Sequence, residues 1–225
     1  MESQVRGGTR WKRFAVVMVP SVAATACIGV ALAQGALAAS FSVSGQSFKV
    51  TAKELHGNGF AQYGAIDSGY TLTGEKTAHP VAVSSFKTAT IQKMCQSVVT
   101  PNIPLLGSVT LTLTAGDSSD PEKQVSADNL FIDVEDLGAD KAVFTGIDIG
   151  VAAGNTGPVA MEGQDAGKST GMKGGKEQAN PYGFAQQATK ADLYGVKQTA
   201  WATTAGTFTL PGLSMKLSKG SNECY

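Results

Sequence analysis

The sequence predicts a mainly β fold, in the form of a long antiparallel meander or curved sheet with repeated strand units. Two observations support this. Apolar residues alternate with small or polar ones along six short stretches, as expected for strands with one buried face. Val, Leu, Ile and Phe also make up only about a fifth of residues 39–225, which suits a thin sheet better than helices around a thick core. The six stretches are Phe41–Val43, Phe48–Val50, Val109–Leu113, Leu130–Val134, Ile147–Val151 and Leu213–Leu217.

The N-terminal residues have the pattern of a secretory signal peptide. Four basic residues up to Arg13 precede an apolar run from Phe14 to Ala33, and Ala36-Leu37-Ala38 has the small-x-small spacing of a cleavage site. We therefore expect a signal peptide over residues 1–38 and a single β-rich domain over residues 39–225. The alternative is an uncleaved membrane anchor, since the run is about long enough to span a bilayer. Either way, the protein is expected to be secreted or extracytoplasmic, at the cell envelope, and membrane contact would come through an uncleaved leader or a membrane partner.

The charge pattern excludes one class of partner. The leader holds four of the 18 basic residues and one of the 18 acidic residues, which leaves 14 lysines against 17 acidic residues and a net charge of −3 in residues 39–225. These residues include no arginine. Nucleic-acid binding requires a basic stripe, and arginine is its usual phosphate ligand. We therefore expect no nucleic-acid partner.

Two cysteines remain after the leader, Cys95 and Cys224. In an oxidising compartment an even pair is most simply a disulfide, which would fasten the last residues to the body of the domain. Metal ligation is the weaker alternative, because neither cysteine lies in a C-x-x-C motif or near a histidine cluster. The sequence predicts no metal and no cofactor.

One stretch departs from the strand pattern. Ile91, Met94, Cys95, Val98 and Val99 fall at positions i, i+3, i+4, i+7 and i+8, the apolar stripe of an amphipathic helix. Thr100-Pro101 would end such a helix. We therefore expect one short helix near residues 88–100.

An internal repeat supports the meander. Asp128 is followed sixteen residues later by Phe144-Thr145, and Asp192 is followed at the same distance by Phe208-Thr209. Each unit then continues into a glycine and an alternating strand, which indicates repeated strand pairs. The alternative is that alternating strands in any small β protein resemble one another.

Residues 152–188 differ in composition from their surroundings. This segment is rich in Gly, Lys, Gln and Asn and lacks periodicity, which predicts a mobile surface loop. It contains GKSTG, residues 167–171, which has the G-x-S-x-G spelling of an esterase nucleophile centred on Ser169. A nucleophile elbow needs a strand before the serine and a helix after it, and neither flank has that pattern.

A serine nucleophile also needs a base, and the chain has two histidines, His56 and His79. His56 lies in a Leu-His-Gly-Asn-Gly stretch and His79 precedes Pro80, so both are expected on exposed turns. The candidate catalytic residues are therefore Ser169, His56 and His79, with a solvated loop histidine as the commoner alternative for each.

Three segments carry a resemblance to a known family. They are WKRFAVVMVPSVAATACIGVALAQGALAASFSVSGQSFKV at the start, CQSVVT near the middle and VKQTAWATTAGTFTLPGLSMKLSKG near the end. They resemble a family of small secreted actinobacterial proteins, chiefly from streptomycetes, largely of unknown function and commonly labelled cholesterol esterase. The resemblance covers nearly the whole chain except the Gly-rich loop. It implies an envelope-facing protein with sterol-ester or lipid activity, and it supplies no catalytic motif.

Two hypotheses of different classes follow. In the first, the protein is a non-catalytic binder of lipid or sterol ester, whose ligand lies on an apolar sheet face. In the second, it is a cholesterol esterase, a sterol-ester hydrolase that uses Ser169 with His56 or His79. A structural envelope protein is a third alternative. The residues expected to contact a lipid are the apolar members of the predicted strands: Ile132, Val134, Ile147, Ile149, Leu213 and Met215.

Overall fold

The computed structural model describes residues 43–157 and 178–225, and these residues form a mainly β structure, as the sequence predicts. Two short 3-10 turns, Pro121–Lys123 and Ala153–Asn155, are the only helical segments within these ranges. The strands are β1 Phe48–Tyr70, β2 Lys76–Gln92, β3 Met94–Ile103, β4 Gly107–Ala115, β5 Val125–Gly138, β6 Lys141–Ala152, β7 Gln178–Ala179, β8 Phe184–Thr204, β9 Thr207–Thr209 and β10 Ser214–Lys219.

Apart from the short β7, the strands form four long runs, in which one strand continues into the next after a short break. The first run is β1 alone. The second consists of β2 and β3, the third of β4, β5 and β6, and the fourth of β8, β9 and β10. Each run pairs with the run that follows it in the chain, and the fourth run also pairs with the first. Every pairing between these strands is antiparallel. The predicted antiparallel meander is therefore confirmed.

Four strands close into a ring. β1 pairs with β2 and with β8, and β5 also pairs with β2 and with β8. β3, β4 and β10 continue from the ring as a three-stranded sheet in the order β3-β4-β10. Closing the ring satisfies the edges of its strands, whereas β10 pairs only with β4 among the described residues.

The main core fills the ring, because all four ring strands contribute buried residues to it. Phe60 packs against Phe86 and Phe144, with ring centroids 5.4 and 5.3 Å apart. Gly57 lies between Ala89 and Ala191 on the neighbouring strands, and this row of small residues leaves room for the phenylalanines. A smaller cluster lies around Tyr63, Val81, Val83 and Ala185, with Phe131 and Trp201 packed against it.

The helix predicted near residues 88–100 is wrong, because this stretch forms the end of β2 and the start of β3. The backbone of Lys93 has a φ of 52°, outside the strand region. This irregularity shifts the alternation, so Ile91 and Met94 both point into the core although they are three residues apart. A strand with one such irregularity imitates helical spacing.

The Gly-rich segment is shorter than the predicted loop at 152–188. Phe184 to Ala188 begin β8, where Ala185 and Ala188 are fully buried, and Gln178–Ala179 form β7 beside β1. The buried residues of β8 are mostly alanines, and the apolar alternation of alanines is too weak to detect in the sequence. Residues 158–177 lie outside the described ranges.

The disulfide between Cys95 and Cys224 is present, as predicted. It fastens the segment after β10 to β3, and the main-chain N–H of Cys224 donates to Ser97 Oγ at 3.0 Å. No helix within the described ranges has the length and apolar character required to cross a membrane.

Candidate ligand-binding site

The β3-β4-β10 sheet carries apolar side chains on one of its faces. Residues paired across neighbouring strands share a face, and the pairing places Val98, Leu111 and Leu217 in one row and Leu113 and Met215 in the next. We call the surface formed by these five residues the apolar face. Met215 and Leu217 are 65% and 70% exposed, so the described residues leave this part of the sheet uncovered.

The apolar face continues from the core of the ring. Met94 and Ala115 belong to the buried core, and Leu113, two residues before Ala115, packs against it from the side. From Leu113 outward the same side of the sheet becomes exposed at Leu111. The hydrophobic surface therefore extends from the interior to the solvent without a polar boundary along β4.

The opposite face of this sheet is polar. It carries the alternating residues of β4 and β10, which include Thr110, Thr112, Ser214 and Ser218. Thr110 Oγ1 donates to the carbonyl of Gly220 at 2.6 Å and accepts from the main-chain N–H of Asn222 at 2.9 Å. The segment after β10 thus packs on the polar face at Thr110, and Met215 and Leu217 on the apolar face stay exposed.

The six residues predicted to bind lipid do not form one surface. Ile132 and Val134 are 4% and 3% exposed and belong to the core of the ring, so they do not lie on an exposed sheet face. Ile147 and Ile149 are exposed on β6, at the other end of the strand order from β10. Leu213, just before β10, and Met215, within it, are exposed. Alternation identifies strands, but it does not show which apolar face another part of the chain will cover.

A second surface feature is a cavity of about 440 Å³. The cavity forms at the breaks between strands of the second, third and fourth runs. Four of its lining residues lie in these breaks: Lys93, Asp117, Asp140 and Gly212. Its volume is within the range of small-molecule sites. Its lining residues are Thr51, Ala52, Lys53, Lys93, Met94, Cys95, Thr114, Ala115, Asp117, Asp140, Gly195, Val196, Lys197 and Gly212.

The cavity combines charged groups with core residues. Three lysines, Lys53, Lys93 and Lys197, line it together with Asp117 and Asp140. Ala52, Met94, Ala115 and Val196 are also part of the main core. Sequence analysis missed these charged residues because they come from distant segments. The only sequence feature that marks these breaks between strands is a glycine at or near three of them: Gly116, Gly138 and Gly212.

The Lys53 side chain is partly engaged. Its Nζ lies 3.5 Å from Glu54 Oε1 and donates to Gln92 Oε1 at 3.2 Å. Lys93 and Lys197 form no ion pair with any residue in the described ranges. The cavity therefore has two ammonium groups available to an anion.

His56 lies in the middle of β1, not on the exposed turn that the sequence suggests. Its Nδ1 is 2.7 Å from Asp192 Oδ1 on β8, and its Nε2 is 3.2 Å from Glu54 Oε2. Partial burial lowers the pKa of His56, but the hydrogen bonds and charges of Asp192 and Glu54 outweigh it and raise the pKa above the ordinary value of histidine. Because both ring nitrogens are engaged by carboxylates, His56 is poorly placed to act as a general base.

His79 lies in β2, also within a strand, and is opposite Asp67 of β1. Its ring stacks on Trp201, with centroids 3.5 Å apart and an interplanar angle of 16°. Nε2 of His79 is buried and has no hydrogen-bond partner among the described residues. The third predicted catalytic residue, Ser169, lies outside those residues, so the structure does not place it relative to either histidine.

These features define a class of protein: an all-β domain with a disulfide, an apolar sheet face that the described residues leave uncovered, and a charged cavity. No three or more His, Cys, Asp or Glu side chains within the described ranges are grouped to hold a metal ion. Residues 44–225 match DUF6230, a family of unknown function, and the chain belongs to that family. No curated protein and no solved structure matches the chain.

Proposed function

We propose that the protein binds a lipid on the apolar face of the β3-β4-β10 sheet. The observation that carries this proposal is the exposure of Met215 and Leu217 on a surface that continues the hydrophobic core. Contiguous apolar patches on soluble domains usually mark interaction sites. Fully burying a side chain such as leucine or methionine contributes about 1.5–3 kcal/mol, so two exposed side chains already supply useful affinity for an acyl chain or a sterol ring.

The geometry favours a lipid over a second protein molecule. The exposed part of the apolar face is small, with Leu111, Met215 and Leu217 as its exposed side chains, whereas a stable contact with a second protein usually buries more than about 1,000 Å². A second copy of the chain, as a structural envelope protein would use, would also cover the face. Self-association is therefore the competing outcome of the test.

The decisive experiment compares two exposed apolar residues of similar exposure. Leu217→Ser changes a residue of the apolar face that is 70% exposed. Ile149→Ser changes a residue of β6 that is 67% exposed. We expect purified protein to bind fluorescent analogues of a fatty acid and of a cholesteryl ester, and Leu217→Ser to weaken that binding about tenfold while Ile149→Ser leaves it unchanged.

Two results would contradict the proposal. Equal effects of the two variants would show that the apolar face is not the site. A wild-type protein that sediments as a dimer, becomes monomeric with Leu217→Ser and binds neither lipid would assign the face to self-association.

Sterol-ester hydrolysis is a second candidate, and one observation favours it. His79 lies opposite Asp67 across the β1–β2 pair, the kind of neighbouring histidine and carboxylate that a serine hydrolase uses. Incubation with a cholesteryl ester and with a serine-directed phosphonate tests this candidate. Released fatty acid together with a covalent adduct in the mass spectrum would support hydrolysis, and the absence of both would exclude a serine esterase.

A further inference from the structure

We infer that the turn between β3 and β4 is a membrane-docking site, at which Leu105 and Leu106 insert into a lipid bilayer with an anionic surface. The inference goes beyond the proposed function and does not depend on it. The turn would hold the protein at a bilayer whether or not the apolar face takes up a single lipid.

The first argument is the exposure of the two leucines. Leu105 is 103% exposed and Leu106 is 50% exposed. Their side chains therefore add little to the core, and their transfer from water into an apolar medium is favourable. The turn also lies at the outer end of β4, beyond Val109, so the leucines project from the edge of the sheet.

The second argument is the backbone conformation at Leu105. The main-chain N–H of Leu106 donates to the carbonyl of Ile103 at 3.1 Å, and Pro104 and Leu105 are the central residues of this turn. Proline fixes its φ near about −65°, and Leu105 has a φ of 68°. This is the pattern of a type II turn, whose second central position favours glycine or asparagine. A leucine strains the backbone there, so folding alone does not explain this residue, whereas insertion into a bilayer requires an apolar side chain.

The third argument is the charge around the turn. We call β3, β4, their connecting turn and β10, residues 94–115 and 214–219, the wing. The wing contains two lysines, Lys216 and Lys219, and no aspartate or glutamate, although residues 39–225 carry a net charge of −3. Both lysines are exposed, and neither forms an ion pair with another residue that the structure describes. A lysine close to an anionic leaflet strengthens binding to it, so the wing suits an anionic surface.

The segment after β10 preserves this charge pattern. Its single acidic residue, Glu223, lies 3.1 Å from Lys49 Nζ and is paired with it. The same segment is bonded to the polar face of the sheet at Thr110 and at Ser97. It therefore supports the wing from the polar side and leaves both the turn and the lysines accessible.

The distance between Lys219 and the turn suits insertion. Lys219 is paired with Val109, which lies three residues from Leu106 along β4. At about 3.3 Å per residue, the turn extends about 10 Å beyond Lys219. Apolar side chains at a membrane interface reach about 5–10 Å into it, and the long stem of lysine keeps its charge among the polar groups. Lys219 would therefore contact lipid phosphates while the leucines enter the acyl region.

The first test is sedimentation of the purified protein with two kinds of vesicle. One contains phosphatidylglycerol and phosphatidylcholine, and the other contains phosphatidylcholine alone. We expect the anionic vesicles to bind at least about fivefold more tightly, with an affinity that falls as salt is raised. Absence of binding to either vesicle would overturn the inference, and equal binding to both would overturn the anionic assignment.

Leu105→Asn tests the turn while preserving its backbone, because asparagine tolerates a positive φ. We expect it to weaken binding to the anionic vesicles by about tenfold or more, with urea unfolding as the control for the fold. Leu72→Asn is the matched variant, since Leu72 is 58% exposed in the turn after β1, at the other end of that strand from its pairing with β3. The N-terminal residues are the same in every variant, so a difference between the two reports the turn. Equal binding by the two variants would contradict the inference.

Lysine variants test the charge. We expect Lys216→Gln and Lys219→Gln each to weaken binding to the anionic vesicles about fivefold and to leave binding to phosphatidylcholine unchanged. Lys87→Gln is the control, because Lys87 is exposed on β2, outside the wing. An equal loss in the Lys87→Gln variant would indicate a general effect of net charge and would remove the role assigned to the wing.

Monomeric ligands separate docking from the proposed function. We expect Leu105→Asn to bind the fluorescent fatty acid analogue as tightly as the wild type does. If it loses this ligand as well as the vesicles, the turn is part of the lipid site and the inference fails. If the vesicles bind through the turn and no monomeric lipid binds, docking stands and the proposed function fails. A wild-type dimer that binds no vesicle and becomes monomeric with Leu105→Asn would assign the turn to self-association instead.

Discussion

Nδ1 of His56 lies 2.7 Å from Oδ1 of Asp192, across the pairing of β1 with β8 that closes the ring. Nε2 of the same ring lies 3.2 Å from Glu54. A neutral imidazole donates through one nitrogen only, whereas an imidazolium donates through both. The arrangement therefore favours the protonated imidazole of His56 and links its charge to the closure of the four-strand ring.

We expect the contribution of His56 to stability to depend on pH. Because folding raises the pKa of His56, its stabilisation is fully present below the unfolded pKa, about 6.5, and is lost as the pH rises through the folded value. Since the side chain is 36% exposed, the effect should stay below about 1 kcal/mol. Urea unfolding of wild type and His56→Gln should show a larger wild-type advantage at pH 6 than at pH 9. An advantage that grows with pH would contradict this assignment.

Removing the disulfide should destabilise the whole domain. Cys95 and Cys224 are separated by 129 residues, and in the chain-entropy model a loop of this length contributes about 4–5 kcal/mol. We expect the Cys95→Ser/Cys224→Ser double variant to lose about this amount in urea unfolding. Non-reducing mass analysis of the wild type should show no free thiol, and two free thiols would contradict the structure.

Gly57→Ala should destabilise the core. A Cβ at this position would lie 2.6 Å from Cε1 of Phe86 and closer still to Cδ1, and Phe86 is buried and cannot move aside. Overpacking of this kind costs about 1–3 kcal/mol. Gly64→Ala is the matched control on the same strand, because no atom lies within 4 Å of its added Cβ. Equal unfolding midpoints for the two variants would show that the core adapts at Phe86.

Ser169→Ala should leave any sterol-ester hydrolysis essentially unchanged. A nucleophile must be held by rigid elements on both sides, and the sequence places glycines at 167, 171, 174 and 175 around this serine. Loss of a true triad serine removes several orders of magnitude in rate. A hundredfold drop in a folded Ser169→Ala variant would therefore establish it as the nucleophile.

If hydrolysis is detected, the two histidines should behave differently. We expect His79→Gln to abolish the activity and His56→Gln to retain most of it, because both nitrogens of His56 already contact carboxylates. Circular dichroism of both variants controls for folding, since His79 also stacks on Trp201. Equal loss in both variants would indicate a structural effect on the sheet.

The sequence predicted the class of fold because alternation is a local property. Leu111 and Leu113, or Ile147 and Ile149, alternate with polar residues and form strands as expected. The helix was predicted wrongly at Lys93, where a backbone irregularity changes the spacing of buried residues. Strand β8 escaped detection because its buried residues are mostly alanines, whose apolar signal is weak.

The candidate site could not be predicted, because it depends on which runs are neighbours. Lys53, Lys93 and Lys197 are far apart in the sequence and meet only through the pairing of three runs. The apolar residues of β5 and β10 have the same pattern, yet Val134 is buried inside the ring and Met215 is exposed. Burial is decided by the closure of the sheet, which the local pattern does not contain.

The closure of the ring also governs the order in which the chain can fold. Phe48 of the first strand pairs with Ala200, so this strand cannot gain its second neighbour until almost the entire chain is present. Contacts between such distant segments make folding slow and leave strand edges unpaired in the meantime. A chain that emerges gradually, from a ribosome or through a membrane, would therefore remain an open sheet for most of that time, and its rate of ring closure would set how long a chaperone must protect it.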